Sequence, residues 1–311
     1  MRIVFMGTPD FAVPSLIKIA SMDEVELTGV MTQPDRPKGR GQRTSSPSVK
    51  KAADDLSIPV YQPPSAKDPG FTEKLYEWNP ELVVVVAFGM ILPSKVIHLP
   101  RYGCVNVHAS LLPKYRGAAP IQQCIIDGCS QTGITTMKMD EGLDTGDILL
   151  QQTVPVRKND TALSLQETLA VLGAETLAET IRHLIKKNLH PIQQNEMEAS
   201  YAPRLSKNSG CIDWSQEACT IDCLVRGTLP WPGAYTFYKG KVMKIWDVNV
   251  MDGESVEHPG VVLGVDRDGI RVSAGKGTVV IRELQAEGKK RMSAGEYVKG
   301  NQVEPFSRMG R

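Results

Sequence analysis

The sequence lacks the features that would mark a membrane or secreted protein. None of its apolar runs approaches the ~18 residues that a membrane-spanning helix needs. Its first residues, MRIVFMGTPDF, lack the basic start and the long apolar stretch of a signal peptide. We therefore expect a cytoplasmic globular protein, and the length of 311 residues favours two domains.

Cysteine is scarce and scattered, which argues against the common metal and redox motifs. The six cysteines form no CxxC pair and no cluster with histidine at zinc-site spacing. In a reducing compartment, isolated thiols of this kind are most often small buried side chains. We expect no metal site.

The glycine pattern of a dinucleotide site is also missing. The turn after the first predicted strand, MGTPDF, contains Gly7 alone. A dinucleotide fingerprint needs three spaced glycines so that the backbone can approach a pyrophosphate. This argues against NAD as a cofactor, and it makes a dehydrogenase the poorest of the enzyme classes.

A large excess of charge of one sign is absent, because the sequence has 36 Lys and Arg residues and 35 Asp and Glu residues. That balance argues against a polycation that coats nucleic acid, although it allows a local basic patch. One stretch, RPKGRGQRTSSPSVKK, has no acid among its basic residues, which are Arg36, Lys38, Arg40, Arg43, Lys50 and Lys51. Its glycines and prolines predict a flexible loop suited to a phosphate-rich substrate, and the alternative is an ordinary solvated surface.

The first half of the chain alternates strand and helix patterns. RIVFMG, VELTGVMT and ELVVVVAFG are apolar or β-branched runs, and the last is uninterrupted, as in a strand buried on both faces of a parallel sheet. Ser164 and Glu167 match a capping box at the start of a long amphipathic helix. We predict an α/β fold over residues 1–189, a Rossmann-like doubly wound domain.

The composition changes after a polar, irregular segment, which we interpret as a linker over residues 190–207. Beyond it, short alternating strands such as AYTFY and KVMKIWDVNV are separated by glycine-containing turns. Ser293 and Glu296 match a second capping box, which predicts a short helix. Five strands of this kind predict an OB-like β-barrel domain over residues 208–311.

Two polar residues stand on one face of a predicted strand, CVNVH. Side chains alternate along a strand, so Asn106 and His108 share a face and lie ~6.5–7 Å apart along it. The strand runs directly into Ser110 and the following loop, and ligands of open α/β sheets bind beyond the carboxyl ends of strands. The pair is therefore a candidate site, and the alternative is that both residues only cap the sheet edge through hydrogen bonds.

An acidic, glycine-containing loop, MDEGLDTGD, follows the next predicted strand. It lacks the alternating acids and the distal glutamate of a calcium loop. One of its acids could reach His108 and fix the tautomer or the charge of the imidazole, since a nearby carboxylate favours imidazolium. Spacing leaves Asp140, Asp144 and Asp147 open, and a solvated turn is the alternative.

Together these segments resemble the methionyl-tRNA formyltransferases, which formylate the initiator tRNA. The Asn-x-His, SLLP and D-x-G-D elements belong to the wider folate-dependent formyltransferase superfamily. The basic loop, the PWPGAY segment and the β-rich C-terminal region point to the tRNA branch. The likeness covers essentially the whole chain, through GTPDFA, QPDRPKGRG, AFGMILP (87–93), NVHASLLPKYRGAAPIQ (106–122), MDEGLDTGDIL (139–149) and the YAPRLSK–IDW junction.

The resemblance implies transfer of a formyl group from 10-formyltetrahydrofolate to the α-amino group of methionine on initiator tRNA. It implies Asn106, His108 and Asp144 as catalytic residues. The implied folate site is formed by Phe88, Gly89, Ile91, Leu92, Pro93, Ser110, Leu111, Leu112 and Pro113. The implied tRNA contacts are Arg36, Lys38, Arg40, Arg43 and Lys207, with the barrel holding the tRNA body. No metal is implied, and we expect a monomer.

Two alternatives remain open at this stage. One is a formyltetrahydrofolate-dependent enzyme acting on a small amine, against which the basic loop and the barrel argue, because a small acceptor needs neither. The other is a non-enzymatic RNA-binding protein, against which the polar pair of the CVNVH strand argues. A folate-binding titration discriminates the second alternative from both enzymes.

Overall fold

The computed structural model describes residues 1–38, 43–254 and 257–310. Arg40, predicted to contact tRNA, lies outside these residues. The chain divides into two compact units. The first unit is Met1–Pro120, Gln131–Val154 and Gln166–Ala202, and the second is Ile121–Ser130, Pro155–Leu165 and Pro203–Arg311. The domain boundaries inferred at 189 and 208 stay predictions.

Most strands of the first unit lie in one sheet. In chain order the strands are β1 (Arg2–Gly7), β2 (Glu26–Met31), β3 (Arg36–Lys38), β4 (Arg43–Ser45), β5 (Val60–Tyr61), β6 (Leu82–Val86), β7 (Cys104–His108), β8 (Arg116–Gly117), β9 (Gln131–Lys138), β10 (Ile148–Pro155) and β11 (Tyr201–Ala202). The helices of the chain are α1 (Val13–Ala20), α2 (Ser48–Asp55), α3 (Pro69–Trp78), α4 (Ser94–Ile97), α5 (Pro120–Ile126), α6 (Ala162–Lys186), α7 (Ala218–Gly227) and α8 (Ala294–Gly300).

The seven-stranded sheet has the order β10-β9-β7-β6-β1-β2-β5. Strands β5, β2, β1, β6 and β7 are parallel neighbours, and β9 runs antiparallel to β7. Every residue of β6 is buried, as its uninterrupted valine run predicts. The predicted Rossmann-like α/β domain is thus confirmed. Its ligand crevice is expected beyond the carboxyl ends of the parallel strands, where β7 ends at His108.

The segment predicted as a linker begins with residues that pair within the first unit. Ile192 forms an antiparallel bridge with Ile148, and β11 pairs in parallel with β8. Gln194 is only 6% exposed. Residues 192–202 are therefore joined to the first unit by backbone pairing and by the buried side chains of Gln194 and Ala202, although their polar composition is typical of a connector.

The second unit contains an antiparallel sheet of β12 (Ala234–Tyr238), β13 (Lys241–Met251), β14 (Val262–Asp266), β15 (Gly269–Ser273), β16 (Thr278–Ala286) and β17 (Met292–Ser293). Its order is β12-β13-β16-β15-β14, and β17 pairs with β16. The two outer strands are joined through the end of the chain, because Met309 bridges Tyr238 and Arg308 bridges Val261. This closure, around an apolar core, agrees with the predicted OB-like barrel.

Candidate active site

Asn106 and His108 lie on one face of β7, as strand alternation predicts. In the sheet Asn106 pairs with Val85 of β6, and His108 pairs with Thr135 of β9. The other face of β7 packs on α6, where a Cβ at Gly173 would lie 3.1 Å from Val107 Cγ1. The absence of a side chain at Gly173 lets the helix approach Val107, and strand alternation places the polar pair on the opposite face.

The His108 imidazole is buried and has a different contact at each nitrogen. Nε2 lies 2.9 Å from the carbonyl oxygen of Tyr115. A carbonyl only accepts, so Nε2 carries a hydrogen and donates it. Nδ1 lies 3.7 Å from Asp144 Oδ2, too far for a hydrogen bond but close enough for a charge pair. Nδ1 is therefore the ring nitrogen that remains for chemistry.

Of the three acids left open by spacing, Asp144 is the one whose carboxylate approaches the imidazole. Its Oδ2 also accepts a 2.8 Å hydrogen bond from the backbone N–H of Gly117. Asp140 instead accepts hydrogen bonds from the Thr145 hydroxyl and the Gly142 N–H, so its carboxylate shapes the loop itself. The Asp147 side chain makes no contact with the imidazole within the described part of the chain.

The Asn106 side chain is half-buried, and Asn106 precedes His108 by two residues on the same face of β7. Within residues 1–38, 43–254 and 257–310 it makes no hydrogen bond, so both of its N–H donors remain unused. A carboxamide and an imidazole on one face of a strand, backed by a carboxylate, can donate hydrogen bonds to an oxygen that gains negative charge.

The loop after β7 is held by two residues that sequence reasoning missed. Thr135 is buried; its hydroxyl donates to the Ser110 carbonyl (2.7 Å) and accepts from the Leu112 N–H (3.1 Å). Gln151 donates to the Leu112 carbonyl (2.8 Å) and to the Thr135 hydroxyl (2.9 Å). The sequence carries no signal that singles them out, because β9 (QTGITTMK) and β10 (ILLQQTVP) each contain several polar residues.

The predicted folate residues divide by exposure. Ile91 and Gly89 are exposed, and Pro93, Leu111 and Pro113 are partly exposed. The side chains of Phe88, Leu92 and Leu112 belong to apolar cores, and the Ser110 hydroxyl donates to the Lys114 carbonyl at 2.6 Å. For these buried residues, the backbone is the part that a ligand could contact.

The predicted basic loop contains a short hairpin in which β3 pairs with β4. Arg36 is exposed on it, and Lys207 is exposed on a 3-10 turn of the second unit. Lys50, one of the basic residues of this stretch, forms an ion pair of 3.0 Å with Asp35, which directly precedes the stretch. Hydrogen bonds from Gln62 and Lys50 lower the pKa of the Asp35 carboxyl, so the base of the hairpin is fixed by a charged pair.

Metal-binding clusters and membrane-spanning helices are both absent from the described part of the chain. In the described ranges no three His, Cys, Asp or Glu side chains are grouped so that they could hold a metal ion. No helix among those residues is both long enough and apolar enough to cross a membrane.

Comparison with known proteins connects this geometry with one family. The formyl transferase family model matches residues 1–181, and the model of the formyl transferase C-terminal domain matches residues 204–302. A methionyl-tRNA formyltransferase of Clostridioides difficile is 50% identical over 304 residues, which cover 98% of each chain. One of Citrifermentans bemidjiense is 49% identical over 311 residues, covering 100% of this chain and 97% of the relative.

A solved structure supports the fold. The N-formyltransferase of Helicobacter canadensis, in complex with folinic acid and dTDP-3-aminofucose, superposes with a TM-score of 0.68 at 20% identity. The match covers 90% of this chain and 98% of that protein.

Proposed function

The chain belongs to the methionyl-tRNA formyltransferases, and we propose that Asn106, His108 and Asp144 are the residues that carry out its reaction. The enzyme transfers a formyl group from 10-formyltetrahydrofolate to the α-amino group of methionine on initiator tRNA. This function is favoured over the small-amine enzyme and over the non-enzymatic RNA-binding protein. The observation that carries the proposal is the 3.7 Å approach of Asp144 Oδ2 to His108 Nδ1, on the face of β7 that also bears Asn106.

The reaction needs hydrogen-bond donors more than it needs a strong base. The methionyl α-amine attacks the formyl carbon, and the C=O bond becomes a C–O⁻ bond in a tetrahedral intermediate. An α-amino group with a pKa of ~7.7–8.0 is partly neutral near pH 7. The Asn106 N–H₂ group and an N–H on His108 Nδ1 would donate to the developing oxyanion.

Asp144 would act through the imidazole. Because Nε2 is engaged with the Tyr115 carbonyl, Nδ1 can donate only when the ring is an imidazolium. The Asp144 carboxylate supplies the opposite charge beside that nitrogen. The amine proton would pass through water or Asp144 to the leaving nitrogen of the folate. That nitrogen departs as a neutral amine when its bond to the formyl carbon breaks and the C=O bond re-forms.

The folate donor would lie against the exposed and partly exposed residues Gly89, Ile91, Pro93, Leu111 and Pro113. Ile91 is 94% exposed and would supply apolar surface that a pteridine ring could cover. Phe88, Leu92, Ser110 and Leu112 would then support that surface from behind. Folinic acid bound to the H. canadensis protein is consistent with such a site in this fold.

The basic hairpin would hold the acceptor end of the tRNA through phosphate contacts. We expect Arg40→Ala, and more weakly Arg43→Ala, to raise the KM for tRNA with little change in the KM for the folate. Each lost phosphate contact should also reduce the slope of log(kcat/KM) against log[salt] by about 1. Lys18→Ala is the matched control, because Lys18 is a cation of the first unit that pairs with Glu175. Unchanged tRNA kinetics and an unchanged salt slope in both arginine variants would contradict this role.

Formyl transfer to three acceptors tests the function as a whole. With 10-formyltetrahydrofolate as donor, we expect product on methionyl initiator tRNA, much less on methionyl elongator tRNA and none on free methionine. Faster transfer to a small amine than to any tRNA would favour the small-amine enzyme instead.

We further propose that the protein acts as a monomer in the bacterial cytoplasm, with Lys207 and the barrel contacting the tRNA.

A further inference from the structure

Tyr115 and Gly117, the neighbours of Arg116 in the first unit, each contact a different residue of the proposed catalytic centre. The Tyr115 carbonyl accepts from His108 Nε2, and the Gly117 N–H donates to Asp144 Oδ2. The side chain of Arg116, between them, turns away from both and is fully buried, with 0% exposure. A buried guanidinium must find acceptors for its N–H groups, so its partners show what it holds.

The partners of the Arg116 guanidinium include one charged group, the Glu196 carboxylate, and one neutral amide, that of Gln194. It donates two hydrogen bonds of 2.8 Å to the two carboxylate oxygens of Glu196, which lowers the pKa of Glu196 and raises that of Arg116. It donates two more, of 3.0 and 2.9 Å from Nε and Nη2, to the side-chain oxygen of Gln194. Glu196 thus balances the positive charge of the guanidinium, while the Nε and Nη2 donors bind the Gln194 amide oxygen.

The Gln194 carboxamide, which Arg116 holds by its oxygen, binds the backbone of the acidic loop through its nitrogen. Its Nε2 donates to the Asp144 carbonyl at 2.8 Å and to the Gly146 carbonyl at 2.7 Å. Its oxygen is already shared between the two Arg116 donors, so four hydrogen bonds fix the orientation of the amide. A glutamine that is nearly buried and bound at both ends has one accessible orientation.

We propose that Arg116 and Gln194 are positioning residues that hold the Asp144 carboxylate beside His108. The contacts form a closed ring: Arg116 binds Gln194, Gln194 binds the backbone of Asp144, and the Asp144 carboxylate binds the N–H of Gly117, which follows Arg116. The proposal rests on the catalytic role proposed for Asp144.

The loop needs such a clamp because its backbone is not in a relaxed conformation. Asp144 has a φ of 54°, in the left-handed region that is uncommon for residues other than glycine and persists only where the surroundings impose it. At Gly146 a Cβ would lie 1.7 Å from the Lys138 carbonyl oxygen, so the chain is close against β9. Without the two donors of Gln194, the Asp144 peptide is free to relax, and its carboxylate leaves the imidazole.

Gln194→Glu removes the donation to the loop while keeping acceptors for Arg116. Gln194→Met removes both without adding a charge. A displacement of about 1 Å in a catalytic group can cost ~10²-fold in rate, so we expect kcat to fall by about 10- to 100-fold in each variant. The KM values for folate and tRNA should change little, because Gln194 is proposed to contact neither substrate. Thr180→Val is the matched control, since it removes a buried 2.7 Å hydrogen bond to Thr136 on the opposite face of the sheet.

A double-mutant cycle separates positioning from a general effect on folding. If Gln194 acts through Asp144, Gln194→Glu should cost less than about twofold in an Asp144→Asn background, because mutations in one network are not additive. Glu196→Gln offers a milder test on a 68% exposed side chain, and its smaller loss of kcat should vanish in the same background.

The outcomes distinguish this proposal from the one on which it rests. An Asp144→Asn enzyme with wild-type kcat would remove the proposed catalytic role itself. An impaired Asp144→Asn enzyme, together with no loss in the Gln194 variants or with losses equal in both backgrounds, would overturn the positioning role alone. A loss in Thr180→Val equal to that in Gln194→Met, at matched thermal stability, would also overturn it.

Discussion

Asn106→Ala and His108→Ala should each lower kcat by about 10²–10³-fold, the usual cost of removing one oxyanion donor. Both side chains lie on one face of β7, and Asn106 leaves its two N–H donors unused in the described part of the chain. The donors matter most after the formyl oxygen has gained charge, so ground-state binding should be nearly intact. The measurement is single-turnover formyl transfer, with tetrahydrofolate affinity measured by calorimetry on the same preparations.

Asn106→Asp provides the sharper comparison, because it keeps the shape of the side chain and exchanges the donors for a charge of the wrong sign. We expect it to be at least as slow as the alanine variant. Wild-type rates in Asn106→Ala and His108→Ala would remove both residues from the catalytic centre. A loss of folate affinity parallel to the loss of kcat would make them binding residues instead.

Much of the fold follows from short patterns in the sequence. The valine run of β6 predicts a strand buried on both faces, and Ser293 and Glu296 do form the predicted capping box before α8. The prediction of a capping box at Ser164 and Glu167 was wrong by three residues, because the box is formed by Thr161 and Ser164. Thr161 and Ser164 exchange reciprocal hydrogen bonds where α6 begins, so Ser164 takes the third position, where a side-chain oxygen reaches back as a glutamate would.

The candidate site was only partly predictable, because its two kinds of contact differ in range. Alternation along one strand places Asn106 and His108 together, and this requires no knowledge of the rest of the fold. The hydrogen bond of Gly117 to Asp144 spans 27 residues, and that of Arg116 to Gln194 spans 78. No local period encodes such contacts, and the segment containing Gln194 has the composition of a linker.

The same limit explains why spacing could not choose among the acids. Asp140, Asp144 and Asp147 stand in one loop whose path depends on positive φ at Asp144 and on the close approach of Gly146 to Lys138. A single left-handed residue redirects the side chains that follow it, and glycine is the default residue for that conformation. The path therefore becomes apparent only when the tertiary contacts of the loop are known.

Substitution of each acid by asparagine decides the question experimentally. Asp144→Asn should lower kcat by on the order of 10²-fold, less than the ~10⁴ seen when the carboxylate of a Ser-His-Asp triad is neutralised. The loss is smaller because the 3.7 Å between Oδ2 and Nδ1 makes this a charge pair rather than a hydrogen bond. Asparagine can still accept from the Gly117 N–H through its side-chain oxygen, so the variant isolates the charge from the loop geometry.

Asp140→Asn is the matched control, since it makes the same chemical change four residues earlier in the same loop. Its carboxylate binds Thr145 and Gly142 at an exposed position, so we expect kcat within a few-fold of the wild type, as for most surface substitutions. Asp147→Asn tests the third acid, and a loss there with full activity in Asp144→Asn would transfer the role to Asp147. Equal losses in all three would mean that the loop contributes its net charge to the imidazole rather than one placed carboxylate.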